Sequence, residues 1–153
     1  LYPEGLAEEF EALRADHASL AEGSGDFSHV LIGYRSKYVL NSFGLNLPAI
    51  KAKQGTTNPA LIHPNDLAEL GIGDDSEVVV ESAFGAIPAV VRATDRIKRG
   101  VIAMHHSWGA APDRNASVRE VGSNTNLLVS SETQLQAFTG MPKASGIPVR
   151  IRP

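Results

Sequence analysis

The stretch GVIAMHHSWGAAPDRNASVREVGSNTNLL, residues 100–128, gathers side chains able to do chemistry. His105 and His106 follow an apolar run, then come Ser107, the chain's only tryptophan at Trp108, and later Asn124 and Asn126. A second set follows an earlier apolar run: Arg35 with Ser36, then Asn41 with Ser42. Three chemistries compete for these residues. A metal site fits poorly, because neighbours in an extended segment point to opposite faces and His17, His29 and His63 are remote in sequence. Hydrolysis fits poorly too, because Ser107 directly follows His106 and no G-x-S-x-G displays a nucleophile. Binding of a large polar ligand fits better. An asparagine amide offers both donor and acceptor, which suits a heterocycle with alternating polar edges. An arginine offers a fork to a phosphate. The competing reading, that these serines and asparagines only close turns, stands equally on the chemistry.

The elements that must position them are short. EGLAEEFEALRADHASL (4–20) has apolar residues at Leu6, Phe10, Leu13 and Leu20, which predicts an amphipathic helix, ended by the glycines of AEGSGDFS (21–28). HVLIGYR (29–35) predicts a buried strand, followed by a long turn-rich loop over 36–59. ALI (60–62) predicts a further strand. In HPNDLAELGIGDDS (63–76), Pro64, Asn65 and Asp66 suit a helix start and Gly71 its end. EVVVESAFGAIPAVVRATD (77–95) predicts two strands joined at Gly85, with Val78 and Val80 on one face. VIAM (101–104) and IPVRI (147–151) predict two more strands, and SSETQLQAF (130–138) a helix with a serine cap and Leu135 and Phe138 at helical spacing. Six short strands without regular βαβ alternation point to a closed β-barrel with a few short helices. Two units are expected: a helical arm over 1–28 and a barrel over 29–153.

Composition narrows the function. The chain has 153 residues, long enough for one core, and no cysteine, which removes disulfides, thiol catalysis and Cys-ligated metal centres. That composition fits a cytoplasmic protein. Residues 1–28 carry seven acids and one base, so an acidic leader precedes a mildly basic body. No lysine or arginine cluster suggests nucleic acid, and no apolar run approaches a membrane span. The chain begins with Leu1, as a fragment or a processed product would.

Taken in order, these residues resemble a known family. NPALIHPNDLAELGIGDDSEVVVESAFGAIPAVVRATDRIKRGVIAMHHSWG (58–109), LIGYRSKYVLNS (31–42) and NTNLL (124–128) resemble the C-terminal molybdopterin-dinucleotide-binding domain of the dimethyl sulfoxide reductase family. LYPEGLAEEFEAL (1–13) is similar to the leader that joins this domain to the rest of such enzymes. The resemblance implies a six-stranded double-psi β-barrel. It also implies a molybdenum or tungsten bis(pterin guanine dinucleotide) in the full-length enzyme, covered from one side by loops at one barrel end. By position, Arg35, Ser36, Asn41 and Ser42 match the first contacting loop. His105, His106, Ser107 and Trp108 match the second, and Asn124 and Asn126 the third. Two departures stand out. Ser107 occupies a place that often reads glycine, and Met141-Pro142 stands where Asp-Pro is frequent, although Ser145-Gly146 is kept. The metal ligand of these enzymes lies in another domain, and nothing here matches it. The chain alone is thus expected to hold no cofactor and catalyse nothing. The parent enzyme's remaining domains or catalytic subunit would be its partners, in formate oxidation or in nitrate or sulfoxide reduction. Two rivals share the barrel class. A non-redox module for peptide or adaptor recognition has no need of the Arg35, 105–108 and Asn124/Asn126 set. An aspartate-decarboxylase-like enzyme needs a self-processing Gly-Ser step, and Gly23-Ser24 lies in the leader.

Overall fold

The computed structural model describes residues 3–22, 25–109, 116–136 and 139–153. Six strands close into a barrel: β1 (His29–Tyr34), β2 (Ala60–Ile62), β3 (Glu77–Glu81), β4 (Ala86–Ala93), β5 (Val101–His105) and β6 (Ile147–Arg152). Around the barrel they run β1-β5-β2-β4-β3-β6. The pairs β1/β5 and β2/β4 are parallel, and the other four are antiparallel. The mixed, mainly β architecture is consistent with the double-psi arrangement.

Sequence alternation sets which side chains fill the barrel. Val78 and Val80 are buried from β3, Ile87, Ala89 and Val91 from β4, and Val149 and Ile151 from β6. Ile62, Ile102 and Met104 complete a core that shows almost no exposed surface. The β3–β4 hairpin turns at Gly85, where an added Cβ would lie 2.4 Å from the Leu127 carbonyl oxygen. Only glycine admits the 3-10 turn (Thr125–Leu128) this close. Ser82 fixes the same junction: its hydroxyl donates to the Leu128 carbonyl at 2.9 Å and accepts from the Phe84 N–H.

Of the three helices expected, two form and one does not, and α2 (Pro48–Gln54) was not expected. Helix α3 (Pro64–Leu70) starts and stops where its sequence predicts, with His63 Nδ1 accepting from the Asn65 N–H and Gly71 in the left-handed region. Helix α2 (Pro48–Gln54) lies inside the loop expected to be irregular; Pro48 in its first turn and Gly55 after its end were the signals. The helix expected over 130–138 does not form across the described residues 130–136. Its serine does cap, since Ser130 Oγ accepts from the N–H groups of Glu132 and Thr133, but it caps a turn. Gln134 then takes φ 54°, which stops helix propagation, and Leu135 bridges to Pro142. Phe138 lies outside the described residues. Helix α1 (Leu6–Glu22) forms as expected, with Phe10 and Leu13 left exposed. Among the described residues no helix is long and apolar enough to cross a membrane.

At the end of the barrel where β1 and β5 begin, a buried carboxylate anchors a charge network. The buried Asp66 of α3 accepts from Arg99 Nε at 2.8 Å and from the Gly100 N–H at 2.7 Å, which ties α3 to the turn before β5. Burial pushes the Asp66 carboxyl pKa up, but the Arg99 and Gly100 hydrogen bonds and the nearby positive charges outweigh it and hold the carboxyl below its ordinary value. His29 Nε2 sits 3.6 Å from Asp66 Oδ2, and burial lowers the imidazole pKa in spite of that neighbour.

Two acid transitions follow from these directions. His29 resists protonation in the fold, so stability should decline as pH falls below about 6.5. Asp66 is stabilising as a carboxylate, so its contribution is intact above about pH 4 and lost as pH falls through its lowered value. Urea midpoints measured from pH 8 to pH 3 should fall in both windows. His29→Gln should remove the first. Asp66→Asn should remove the second and cost about 2 kcal/mol at pH 7. A midpoint that is flat over this range would contradict both assignments.

Candidate functional site

The opposite barrel end is built differently. Tyr34 and His105 are register partners on the parallel strands β1 and β5, so the two chains leave the sheet side by side. Arg35 and His106 therefore emerge as neighbours. The loop after β1 turns back through Asn41, whose φ of 52° lies in the left-handed region that asparagine tolerates. Asn41 Oδ1 accepts from Arg35 Nη1 at 3.4 Å and lies 3.1 Å from His106 Nε2, which donates in its Nε2–H tautomer. Asn126 reaches the same place from the 3-10 turn. Arg35, His106, Thr125 and Asn126 line a cavity of about 300 Å³ whose floor includes Gly33 and Met104. The tail closes one wall: Ser145 Oγ accepts from the Gly33 N–H at 3.3 Å.

The other expected residues do not line this cavity. The His105 ring is buried edge-on to Tyr34, with centroids 4.4 Å apart, and tilted against Trp108 at 5.3 Å. Burial and the charge of His106 lower the His105 pKa, against a backbone hydrogen bond with Tyr34, so this imidazole is neutral at pH 7. His105 Nε2 and Trp108 Nε1 are both buried without a hydrogen-bond partner. Ser107 takes φ 78°, a glycine-like conformation at the position where the sequence departs from glycine. Asn124 caps the 3-10 turn by accepting from the Asn126 N–H at 3.1 Å. Ser36 accepts from the Tyr38 N–H and donates to Gln54 of α2 at 2.6 Å, which clamps the first loop. Ser42 is exposed on that loop and does not line the cavity. Among the described residues no group of three His, Asp or Glu side chains could hold a metal ion.

One residue outside the expected set organises the rest. Asn58, just before β2, is 2% exposed. Its Nδ2 donates to the His105 carbonyl at 2.6 Å and the Ser123 carbonyl at 2.9 Å, and its Oδ1 accepts from the Ser123 N–H at 2.7 Å. The amide thus stitches the chain leaving β5 to the segment after α4 (Val118–Val121). Two glycines make that contact sterically possible. A Cβ at Gly109 would lie 2.3 Å from the Asn124 nitrogen, and one at Gly122 2.4 Å from Asn58 Oδ1. The sequence signal for Asn58 was the Asn-Pro pair before a short strand; nothing in its type alone marked it as buried.

Asn58→Ala would leave two carbonyls and one N–H without a partner in the interior. Each such loss costs about 1–3 kcal/mol, so the variant should lose about 3 kcal/mol or more in urea unfolding. A loss under about 1 kcal/mol would mean that water or a rearranged loop replaces the amide.

Comparison with known proteins agrees with this architecture. The family model described as molydopterin dinucleotide binding domain matches residues 30–148. Among solved structures the chain is similar to acetylene hydratase from Pelobacter acetylenicus, at 19% identity and a TM-score of 0.68. That match covers 88% of this chain and 19% of the other, so the chain spans about a fifth of that protein. No curated protein sequence matches. The match at under 25% identity speaks for the fold, and the family model, which covers most of the barrel, speaks for the family. The chain belongs to the molydopterin dinucleotide binding domain family.

Proposed function

We propose that this chain is the cofactor-covering domain of a larger molybdenum- or tungsten-dependent oxidoreductase, and that the cavity at the ends of β1 and β5 receives part of a molybdopterin guanine dinucleotide. The observation that carries the reading is the convergence of Arg35, His106 and Asn126 on one cavity, with Asn41 bonded to the first two. This donor set fits the group. The guanidinium has no carboxylate partner among the described residues and suits a phosphate. The amides of Asn41 and Asn126 suit the donor–acceptor edges of a pterin or purine. His105 and Trp108 do not line the cavity, but both belong to the loop that carries His106, and their Nε2 and Nε1 are buried without a partner.

When bound, the cofactor supplies two-electron metal cycling; the chain supplies placement and electrostatics. Arg35 would neutralise phosphate charge. Asn126 would read a heterocycle edge. The neutral His105, wedged between Tyr34 and Trp108, would keep the second loop rigid and dry. No catalytic residue is assigned to this chain. The metal ligand and the substrate contacts belong to the remaining domains or catalytic subunit, and oxygen-atom or hydride-equivalent transfer is the reaction class. A cysteine-free sequence suits a parent enzyme in the cytoplasm. A peptide- or adaptor-binding barrel has no use for a phosphate-ready arginine beside unpaired ring nitrogens, so that rival is not favoured.

Arg35→Ala and Asn126→Ala, made in the parent enzyme, should each weaken cofactor retention by about 1–3 kcal/mol. The readout is cofactor per protein after gel filtration, with the melting temperature of the cofactor-free form as control. Only Arg35→Ala should reduce the salt sensitivity of retention. Full retention in both variants would sink the assignment.

A further inference from the structure

A second group of chemistry-bearing side chains lies where β1 begins. Ser28 Oγ is 2.8 Å from His29 Nδ1, and His29 Nε2 is 3.6 Å from Asp66 Oδ2. Ser28 is exposed, whereas His29 and Asp66 are only 6% and 5% exposed. Adjacent residues within a strand point to opposite faces, but Ser28 stands just before β1 and its hydroxyl reaches the ring that follows it. In the Nε2–H tautomer the buried nitrogen turns a donor toward the carboxylate, and Nδ1 is left to accept from the Ser28 hydroxyl.

Backbone bonds hold this set in place. The Gly100 N–H donates to Asp66 Oδ2 at 2.7 Å, and the Gly100 carbonyl accepts from the Val30 N–H at 2.9 Å. One glycine thus fixes the carboxylate against the start of β1. His29 Nε2 has no hydrogen-bond partner in the resting fold. Hydrogen bonds between catalytic groups are often this long at rest and tighten as the proton moves. Charge favours that movement. Asp66 and Glu69 both pair with Arg99, so two carboxylates face one guanidinium, and an imidazolium would balance them. Burial opposes it and keeps the ring neutral, and so able to take a proton, at pH 7. Ser28, His29, Asp66, Glu69, Leu70 and Arg99 line a cavity of about 500 Å³.

We infer that Ser28 is a nucleophile, activated by His29 and with that ring oriented by Asp66, which accepts the acyl group of small esters in this cavity. The inference stands apart from the cofactor reading, which needs no catalytic residue in this chain and whose cavity lies where β1 and β5 finish. Ser28 Oγ forms a bond to the ester carbonyl carbon while its proton passes to His29 Nδ1. The bond from that carbon to the leaving oxygen then breaks, and the alcohol departs with the proton. Water attacks the acyl-serine by the same route, giving its proton to His29 Nδ1, which returns it to Ser28 as the carboxylic acid leaves. Leu70 offers the acyl chain an apolar contact. Arg99 bonds Asp66 through Nε and Glu69 through Nη2, which leaves Nη1 as the donor for the negative oxygen that forms.

The test treats the full chain with a fluorophosphonate, which bonds its phosphorus to a nucleophilic serine oxygen and releases fluoride, and locates the adduct by peptide mass mapping. Hydrolysis of p-nitrophenyl butyrate is followed in parallel. Ser28→Ala and His29→Gln are compared with the wild type at about pH 8, with melting temperatures as the folding control. The adduct should sit on Ser28 and form about 100-fold faster than in the urea-unfolded chain, and His29→Gln should remove that advantage. Ester hydrolysis should fall about 100-fold or more in both variants. Labelling of Ser28 no faster than in the unfolded chain would overturn the inference. So would hydrolysis that survives Ser28→Ala at the wild-type rate, or labelling and hydrolysis rates that His29→Gln leaves unchanged.

Discussion

The buried amide of Asn58 is the constraint on which the candidate site depends. A barrel with two parallel pairs cannot be joined by hairpins alone, so long connections must gather at its ends. At the end that carries the polar loops, those connections have backbone groups facing inward, and each must find a partner. Asn58 supplies three of those partners at once, joining the chain after β5 to the segment after α4. Gly109 and Gly122 let the two backbones approach to the distance the amide requires. Arg35, His106 and Asn126 converge because the loops bearing the last two are fixed by this contact and by the cap at Asn124.

The two barrel ends divide stability from binding. Where β1 and β5 begin, charges are tied into a network: Asp66 with Arg99 and Gly100, and Arg99 also with Glu69. Along the β3–β6 edge, Arg150 and Arg152 share Glu81. Where β1 and β5 finish, the balance reverses. Arg35 meets only an amide oxygen, and two buried ring nitrogens have no partner. Native interiors tolerate few such groups. A third such nitrogen, His29 Nε2, lies at the opposite end beside Asp66, so what sets the cavity end apart is Arg35 with no carboxylate partner among the described residues.

Much of the fold was legible because it rests on short-range rules. Period-two alternation set the faces of β3 and β4, and proline and glycine bounded α3. The helix expected over 130–138 failed because a serine cap is equally a turn signal, and the left-handed Gln134 decided between them. Helix α2 escaped because its surroundings are rich in turn residues and it buries no side chain. At the site, residue type revealed what each group can bond to but not which bonds the fold uses up. Arg35, His106 and Asn126 keep capacity to spare, while Ser36 and Asn124 hold loop structure and His105 and Trp108 pack against each other. The Asn-Pro pair marked the position of Asn58 but not its role, which lies in burial and in partners 47 and 65 positions away.

The central claim is that the cofactor meets the barrel at the ends of β1 and β5. Amide hydrogen exchange compared between the parent enzyme with and without its cofactor tests this most directly. The account predicts that the cofactor slows exchange over residues 33–36, 105–109 and 122–126 and leaves 63–70 and 96–100 unchanged. Protection confined to 63–70 and 96–100, with the first three segments unaffected, would contradict it.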